Sequence, residues 1–195
     1  MEKKKIEVGP YLYPMPVVLI GANVEGKANF MPIAWISMVE HAPYVISISS
    51  NQTHFTNKGI IENLTFSINI PSESMIEATD YCGLKTGEKI DKSQIFEVFY
   101  GELKTAPMIK QAPLNLECRL VKTINTKEFI STESKGHFIF FGEIVQAYAD
   151  EMYITNGMPD ITKMKPFGLT QADRSYWKIG KKIGSAWYIG KDYSK

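Results

Sequence analysis

Short apolar runs separated by turn residues constrain this chain more than any other feature. In order they are PVVLIGANV, NFMPIAWISM, YVISISS, LTFSINI, LNLECRLVKTI and GHFIFFGEIVQAYA. The alternation of apolar and polar residues in LNLECRLVKTI is typical of a strand with one wet face, whereas the more continuously apolar GHFIFFGEIVQAYA is expected to be central. VEGKAN, between the first two runs, supplies the Gly and Asn of a hairpin turn. The sequence therefore predicts a mainly β protein, an antiparallel β-barrel instead of alternating βαβ units.

Helical patterns are few and short, so we expect only a few covering helices. Thr56 is a candidate N-cap for NKGIIEN, although Gly59 weakens that helix. Ser72 or Ser74 is a candidate cap for ESMIEATDYCG, which Gly83 is expected to end.

One domain, residues 1–195, is expected from a length of 195 residues. Residues 157–195 differ from the rest because they are rich in Gly, Lys and aromatic residues and lack a clear period. They are too apolar for a solvated tail. We expect them to form an ordered wrapping segment of the same domain, placed where it can cross to a partner subunit.

Composition excludes several functional classes. Twenty-two basic residues against 21 acidic ones leave a formal charge of +1, which argues against a nucleic-acid-binding face. The longest apolar run is too short to span a bilayer, and MEKKKIEVGP does not begin a signal peptide. Two cysteines, Cys82 and Cys118, favour a reducing compartment. The expectation is a cytoplasmic protein that binds neither membrane nor nucleic acid.

The common catalytic and metal-binding motifs are missing from the sequence. It has no G-x-G-x-x-G, G-x-S-x-G, H-E-x-x-H or C-x-x-C, and its three histidines lie far apart. GLKTGEK has some likeness to a phosphate-binding P-loop, but it is one residue short and no Ser or Thr follows its lysine. No metal site is therefore expected. If the chain is an enzyme, a bound cofactor carries the reaction.

The stretch SSNQTHFTNKGI lies between two predicted strands and holds more polar groups than a turn requires. The Thr56 hydroxyl, Lys58 and the free backbone amides of a helix start can converge on one phosphate group. The alternative is a simple helix cap with a solvated lysine. On this stretch alone the simple cap is the better interpretation, because such caps are ubiquitous.

The preceding run, NFMPIAWISM, has features that suit a flat heteroaromatic ring. It offers Trp35 as an aromatic edge, Ala34 as a small neighbour that permits backbone approach, and Asn29 as an amide. The alternative makes Trp35 a core residue and Asn29 a turn residue. By itself the run again favours that alternative.

Taken in order, several motifs resemble the flavin reductase-like family, specifically its flavoredoxin branch. They are PMPVVLIGA…GKANFMPIAW, SISSNQTHFTNKGI…FSINIP, TDYCGLKTGEKIDK, GHFIFFGEIV and YWKIGKKIGSAWYIGK. The resemblance covers residues 13–191. It implies an FMN-binding split β-barrel, a Greek-key barrel that forms homodimers. It also implies FMN held noncovalently near the subunit interface, with electrons passing from NAD(P)H or a partner protein through the flavin.

The resemblance also assigns residues to the flavin site. Asn29 and Trp35, with Ala34 beside them, match flavin-contacting positions. Thr56 matches the phosphate-binding threonine, with Lys58 nearby. The residues expected along the ribityl chain are Ser49, Ser50 and Asn51.

Four further positions follow from the resemblance. Lys92 matches a lysine whose charge favours a phosphate or the reduced flavin, the alternative being a surface lysine. His137 matches a catalytic histidine beside the flavin ring or the incoming nicotinamide, the alternative being a satisfied core histidine. Phe167 matches an aromatic residue near the ring, although core packing equally explains it, and Cys82 is expected to be a small wall residue instead of a redox thiol. KTGEK replaces the Ser-Gly-Arg of many relatives, so a phosphate or NADPH contact there is in doubt.

The resemblance therefore predicts an FMN-dependent NAD(P)H oxidoreductase that reduces free flavin, a ferric chelate or a small electron carrier. The rival from another class is an electron-transfer module reduced by a protein partner, with little direct use of NAD(P)H. A third reading is a flavin or haem carrier without turnover. The sequence carries no motif that separates NADH from NADPH or FMN from FAD.

Overall fold

Among the residues that the structure describes, the fold has fourteen strands and three α-helices. The computed structural model describes residues 1–131, 133 and 135–194. The strands are β1 (Met15–Pro16), β2 (Val18–Val24), β3 (Lys27–Ile33), β4 (Ile36–His41), β5 (Tyr44–Asn51), β6 (Thr65–Ile70), β7 (Val98–Phe99), β8 (Met108–Ile109), β9 (Leu114–Asn125), β10 (His137–Ala149), β11 (Ile154–Thr155), β12 (Met158–Pro159), β13 (Phe167–Thr170) and β14 (Ser175–Lys178). The α-helices are α1 (Thr56–Asn63), α2 (Ile76–Leu84) and α3 (Ile161–Met164).

One antiparallel sheet of seven strands dominates the molecule, in the order β3-β2-β6-β9-β10-β5-β4. Its two edge strands, β3 and β4, are consecutive in the chain and are separated only by Ala34 and Trp35. The backbone N–H of Ser49, on β5, donates to the Trp35 carbonyl at 2.9 Å, which extends the β4–β5 pairing to within two residues of the end of β3. The sheet must therefore curl until its edges meet, which confirms the predicted antiparallel barrel.

The strand pattern is confirmed at most positions, but two predicted runs are divided. PVVLIGANV is interrupted at Val17, between β1 and β2. The turn at residues 25–26 joins β2 to β3 as a hairpin, and β10 lies centrally between β9 and β5, both as predicted. The run NFMPIAWISM is not one strand: it breaks at Ala34 and Trp35 and supplies strands to opposite edges of the sheet. A local pattern of apolar residues cannot reveal that break, because both halves suit a strand equally well.

Two apolar clusters lie on opposite faces of β2. Ile20, fully buried, packs inside the barrel with Phe66 and Phe140. Leu19, the preceding residue, points the other way and packs with Phe30 and residues of α2 and the following loop. Successive side chains of a strand point to opposite faces, so a strand covered on both sides reads as a continuous apolar run.

Helix α1 packs directly against the β2 backbone, and Gly59 permits that approach. A Cβ atom at Gly59 would overlap the Asn23 carbonyl oxygen. The helix begins at Thr56 with Phe55 as its N-cap residue, and no side chain caps it. The predicted Thr56 cap is therefore wrong: Thr56 is the first residue inside the helix, and its hydroxyl oxygen accepts a hydrogen bond from Asn29. Gly59 costs helix propensity but brings the helix close to the sheet.

The second predicted helix begins later and ends later than its sequence indicated. A 3-10 turn over Glu73–Met75 precedes α2, and Ser72, its N-cap residue, makes no side-chain capping bond. Gly83 lies inside α2 instead of ending it. Within the described residues, no helix is long and apolar enough to cross a membrane.

The C-terminal segment consists of a paired part and an exposed part. Strands β13 and β14 form a hairpin that pairs with β1, next to the barrel. Residues 179–194 follow as an exposed stretch that includes Trp187 and Tyr193. Wrapping of this stretch around a partner subunit remains a prediction.

Candidate functional site

Three adjoining cavities run along one side of the barrel. The first, of about 340 Å³, is lined by Trp35 and His137 and is named the Trp35 cavity. The second, of about 400 Å³, is lined by Thr56 and is named the Thr56 cavity; Pro32 and His54 line both. A third, of about 280 Å³, adjoins the Thr56 cavity at Asn29, Phe55, Gly87 and Lys92. A groove of this size suits an elongated small molecule.

Asn29 and Thr56 meet in the wall of the Thr56 cavity. Both are buried, and the Asn29 Nδ2 donates to the Thr56 Oγ1 at 2.7 Å. Since the Thr56 oxygen accepts this bond, its hydroxyl proton is available to a ligand. Thr56 is the first residue of α1, and its backbone N–H has no partner among the hydrogen bonds of the described residues. The Thr56 hydroxyl and backbone N–H are therefore both available as donors at the start of a helix. An anion binds favourably there, because the first N–H groups of a helix have no partners within the helix.

Gly87 helps to place the Asn29 amide. A Cβ atom at Gly87 would overlap the Asn29 Oδ1. Gly87 belongs to KTGEK, the stretch where the resemblance left a phosphate or NADPH contact in doubt, and it lines both the Thr56 cavity and the third cavity. At this position the loop backbone therefore lies directly against the Asn29 side chain.

Lys92 is buried, and its ammonium group ties two elements together. Its Nζ donates to the Phe30 carbonyl of β3 at 2.9 Å and to the Cys82 carbonyl of α2 at 2.7 Å. Desolvation by burial lowers its pKa. The surface-lysine alternative is therefore wrong, and two of the three N–H donors serve the fold. Lys92 nevertheless lines both the Thr56 cavity and the third cavity.

Lys58 lies outside the lining of these cavities. Its exposed Nζ pairs with Glu88 at 3.7 Å and lies over the Phe55 ring, 4.8 Å from the centroid. The structure therefore does not bring Lys58 together with Thr56 as the helix-start pattern predicted. On an α-helix neighbouring side chains diverge by about 100° per residue, which separates these two positions.

Trp35 and His137 form the aromatic end of the groove. Their rings stack with centroids 5.2 Å apart and an interplanar angle of 19°. The Trp35 side chain is 46% exposed, so it is not a core residue, and Ala34 lines the same cavity. His137, half-buried at the start of β10, is therefore not a satisfied core histidine. A flat ligand can replace or extend this stack.

The strand residues Ser49, Ser50 and Asn51 divide between the two faces of β5. Ser49 and Asn51 line the Trp35 cavity, as predicted for residues that face a ligand. Ser50 is fully buried and points away from that cavity. Strand alternation requires this division, so Ser50 acts on the groove only through other residues.

Phe167 does not line the groove but supports a residue that does. Its buried ring packs edge-on against Tyr176, with centroids 5.4 Å apart. Tyr176 lines the Trp35 cavity and donates its hydroxyl to Asp80 at 2.9 Å. Burial and the contact with Asp80 raise the pKa of Tyr176 to about 12. Phe167 was predicted to lie near the ring of the ligand. In the structure Tyr176, which packs against Phe167, takes that place instead.

Cys82 is a wall residue of the Thr56 cavity, as predicted. It is 1% exposed, and burial raises the pKa of its thiol to about 11. Thiolate, the reactive form, is therefore scarce near neutral pH. Cys118 is also free and buried, and burial raises its pKa as well.

His54 is the main residue that sequence reasoning missed. It lies at the junction between the Trp35 cavity and the Thr56 cavity, and its Nδ1 is 3.0 Å from the Ser50 Oγ. The sequence could have indicated this role, because His54 lies two residues before Thr56 in the same polar loop. Gln171 and Tyr176, which also line the Trp35 cavity, come from the C-terminal hairpin, a part of the sequence that lacks a clear period.

The groove as a whole fits a phosphorylated ligand with a flat ring. One end presents the Thr56 hydroxyl and helix-start amide, and the other presents the aromatic surfaces of Trp35 and Tyr176. Polar residues of β5 and the following loop, including Asn51 and His54, lie between the two ends. Anion donors at one end and aromatic rings at the other are the groups that such a ligand requires.

Comparison with known proteins identifies the family and the fold. A family model, described as flavin reductase like domain, matches residues 11–164. Flavoredoxin from Methanosarcina acetivorans is 50% identical, with a TM-score of 0.90 and 98% of each chain covered. Flavoredoxin of Desulfovibrio vulgaris (Miyazaki F) is 28% identical, with a TM-score of 0.87 over 97% of this chain and 100% of that one.

A more distant structure shows the fold alone. An FMN-binding protein from Thermus thermophilus is 20% identical, with a TM-score of 0.76 over 95% of this chain and 99% of the other. The expected split β-barrel is therefore confirmed. From residue 11 to residue 164 the chain matches the family model, and its fold matches two flavoredoxins from end to end; it belongs to the flavin reductase-like family, in its flavoredoxin branch.

Proposed function

We propose that this protein binds FMN and transfers electrons from NAD(P)H through it to free flavin, a ferric chelate or a small electron carrier. The observation that carries the proposal is the groove that joins a Thr56–Asn29 anion site to the Trp35–His137 aromatic end. Membership of the flavin reductase-like family supports it.

Bound FMN supplies the reaction itself, because it accepts a hydride and releases electrons singly or in pairs. Thr56 binds the phosphate through its hydroxyl and backbone N–H. Trp35 and Tyr176 flank the flat ring, and His137 lies where donor and ring meet. Lys92 is a better candidate than Lys58 for a cation beside the phosphate or the reduced ring, because Lys92 lines the groove whereas Lys58 pairs with Glu88 outside it.

A second candidate function is an electron-transfer module reduced by a protein partner. The similarity to two flavoredoxins over nearly the whole chain favours it. The two functions differ in one measurable property: only the first oxidises NAD(P)H rapidly on its own.

Anaerobic mixing of the FMN-loaded protein with NADH and with NADPH separates the two functions. We expect rapid bleaching of the flavin absorbance by at least one nicotinamide. Slow bleaching by both, with rapid bleaching by a reduced redox protein, favours the electron-transfer module. A purified protein that has no flavin absorbance and gains none with added FMN contradicts both.

We also propose a homodimer in the cytoplasm. The edge strand β4 exposes Met38 and Val39, and Tyr44 follows it on β5. An exposed apolar sheet edge is a typical subunit interface. The aromatic end of the groove lies beside this edge, since Trp35 immediately precedes β4.

A further inference from the structure

A chain of hydrogen bonds leads from the β5 backbone to the His54 ring. The Asn57 Nδ2 donates to the Asn51 carbonyl at 2.8 Å, which fixes the orientation of the Asn57 amide, because that carbonyl can only accept. The Asn57 Oδ1 is then the acceptor that faces Ser50. The Ser50 hydroxyl donates to it at 2.7 Å.

This chain fixes the proton on one nitrogen of His54. Ser50 has one hydroxyl proton and two acceptors in reach: the Asn57 Oδ1 at 2.7 Å and the Met31 Sδ, a weak acceptor, at 3.8 Å. With either acceptor the proton points away from His54, and the short bond to Asn57 is the stronger one. The Ser50 Oγ therefore accepts the 3.0 Å bond from the His54 Nδ1, which must carry a proton. In the neutral ring the other nitrogen, Nε2, is then an acceptor.

The Nε2 edge of His54 faces the groove. The Nδ1 edge is turned toward the fully buried Ser50, whereas the ring lines both the Trp35 cavity and the Thr56 cavity. Among the described residues, none forms a hydrogen bond with Nε2. Burial is the main cause that lowers the His54 pKa, followed by the nearby His137 and Lys92, and all three favour the neutral ring.

We propose that His54 binds the flavin as a neutral hydrogen-bond acceptor, with its Nε2 receiving a hydroxyl proton of the ribityl chain. This inference rests on the proposed function. The ribityl chain is the part of FMN that must cross the junction, because His54 lies between the anion site and the aromatic end. Ribityl hydroxyls are donors, and an accepting nitrogen at the junction suits them.

Two substitutions of His54 separate the roles of its nitrogens. In His54→Asn the amide nitrogen can replace Nδ1 and donate to Ser50, but no acceptor reaches the position of Nε2. In His54→Gln the amide oxygen can replace Nε2 as the acceptor. We expect His54→Asn to weaken FMN binding about tenfold and His54→Gln to bind FMN nearly as tightly as the wild type.

The measurement is a titration of the apo-protein with FMN and with lumiflavin, followed by flavin fluorescence, after thermal unfolding has shown that both variants are folded. Lumiflavin lacks the ribityl chain, so its affinity should not change in either variant. Equal FMN affinity in the two variants would overturn the proposal. A parallel loss of lumiflavin affinity would overturn the ribityl assignment, and a wild type that binds no FMN would overturn the proposed function as well.

The proton position can be measured without flavin. Long-range ¹H–¹⁵N spectra of the apo-protein should show His54 protonated on Nδ1 alone near neutral pH. In Ser50→Ala, which removes the acceptor, we expect this preference to be lost. A wild-type spectrum with the proton on Nε2 would refute the hydrogen-bond chain independently of FMN binding.

Discussion

At the residue scale, Thr56 is the position where the anion site can be tested most directly. Its hydroxyl accepts from Asn29 and has its own proton free for a ligand. We expect Thr56→Ala to weaken FMN binding by about 1–3 kcal/mol, because a phosphate oxygen loses its donor. Isothermal titration of the apo-protein with FMN measures the change.

Thr123→Ala is the matched control for Thr56, because Thr123, on β9, lines none of the three cavities. It should leave FMN affinity unchanged. An unchanged affinity in Thr56→Ala would remove Thr56 from the phosphate site.

His137 is the second residue with a distinct expected effect. It stacks on Trp35 at the aromatic end, away from Thr56. We expect His137→Ala to slow reduction of the bound flavin by NAD(P)H more than it weakens FMN binding. Stopped-flow bleaching and a binding titration measure the two effects separately.

His41→Ala serves as the control for His137, since His41 is exposed in the β4–β5 hairpin and packs only against Tyr44 among aromatic rings of the described residues. Reduction at the wild-type rate in His137→Ala would exclude His137 from the reaction.

At the element scale, the position of α1 depends on Gly59. Alanine usually favours a helix over glycine by about 1 kcal/mol. Here a Cβ atom would overlap the Asn23 carbonyl of β2 and push the helix outward. We therefore expect Gly59→Ala to lower the free energy of unfolding by about 1–3 kcal/mol, measured by urea denaturation.

Glu62→Ala tests the same helix without this contact, since Glu62 is exposed. It should change the stability by less than about 0.5 kcal/mol. A stabilised Gly59→Ala would show that α1 does not need the close approach to β2.

Lys92 is the other link between elements, since it joins β3 to α2 through two carbonyl groups. Lys92→Met keeps most of the side-chain volume but leaves both carbonyls without their donor. We expect a loss of about 1–3 kcal/mol in the free energy of unfolding, measured by urea denaturation.

Lys110→Met is the matched control, because the exposed Lys110–Glu97 pair, 3.3 Å apart, is of the kind that contributes about 1 kcal/mol or less. Equal stability of the two variants would mean that the Lys92 bonds add little to the fold.

At the scale of the whole molecule, the proposed homodimer places the apolar edge of the sheet in an interface. Val39 on β4 is 47% exposed, and Val121 on β9 is 58% exposed. We expect Val39→Lys to convert the dimer to a monomer in sedimentation velocity, because it places two buried charges in a symmetric interface. Val121→Lys should leave the dimer intact.

A wild-type protein that sediments as a monomer would refute the homodimer. A dimer that survives Val39→Lys would place the interface on another surface.

Local sequence determined most of the strands. The alternation in LNLECRLVKTI, the Gly and Asn of VEGKAN and the apolar GHFIFFGEIVQAYA each act through neighbouring residues, and the predicted strands and hairpin are present. The pattern of strands joined by short turns was also enough to predict the antiparallel barrel. Because the motif order is itself a property of the sequence, the family was identifiable as well.

The tertiary structure alone decided which residues share the groove. Asn29 meets Thr56 across 27 positions, and His54 becomes a junction residue only because β5, β10 and the C-terminal hairpin meet around it. The tertiary structure also decided the places of the two lysines: Lys58 pairs with Glu88 outside the groove, and Lys92 is buried between two carbonyl groups. Periodicity gives the face that a side chain occupies on its own element, but distance between elements depends on how the sheet curls.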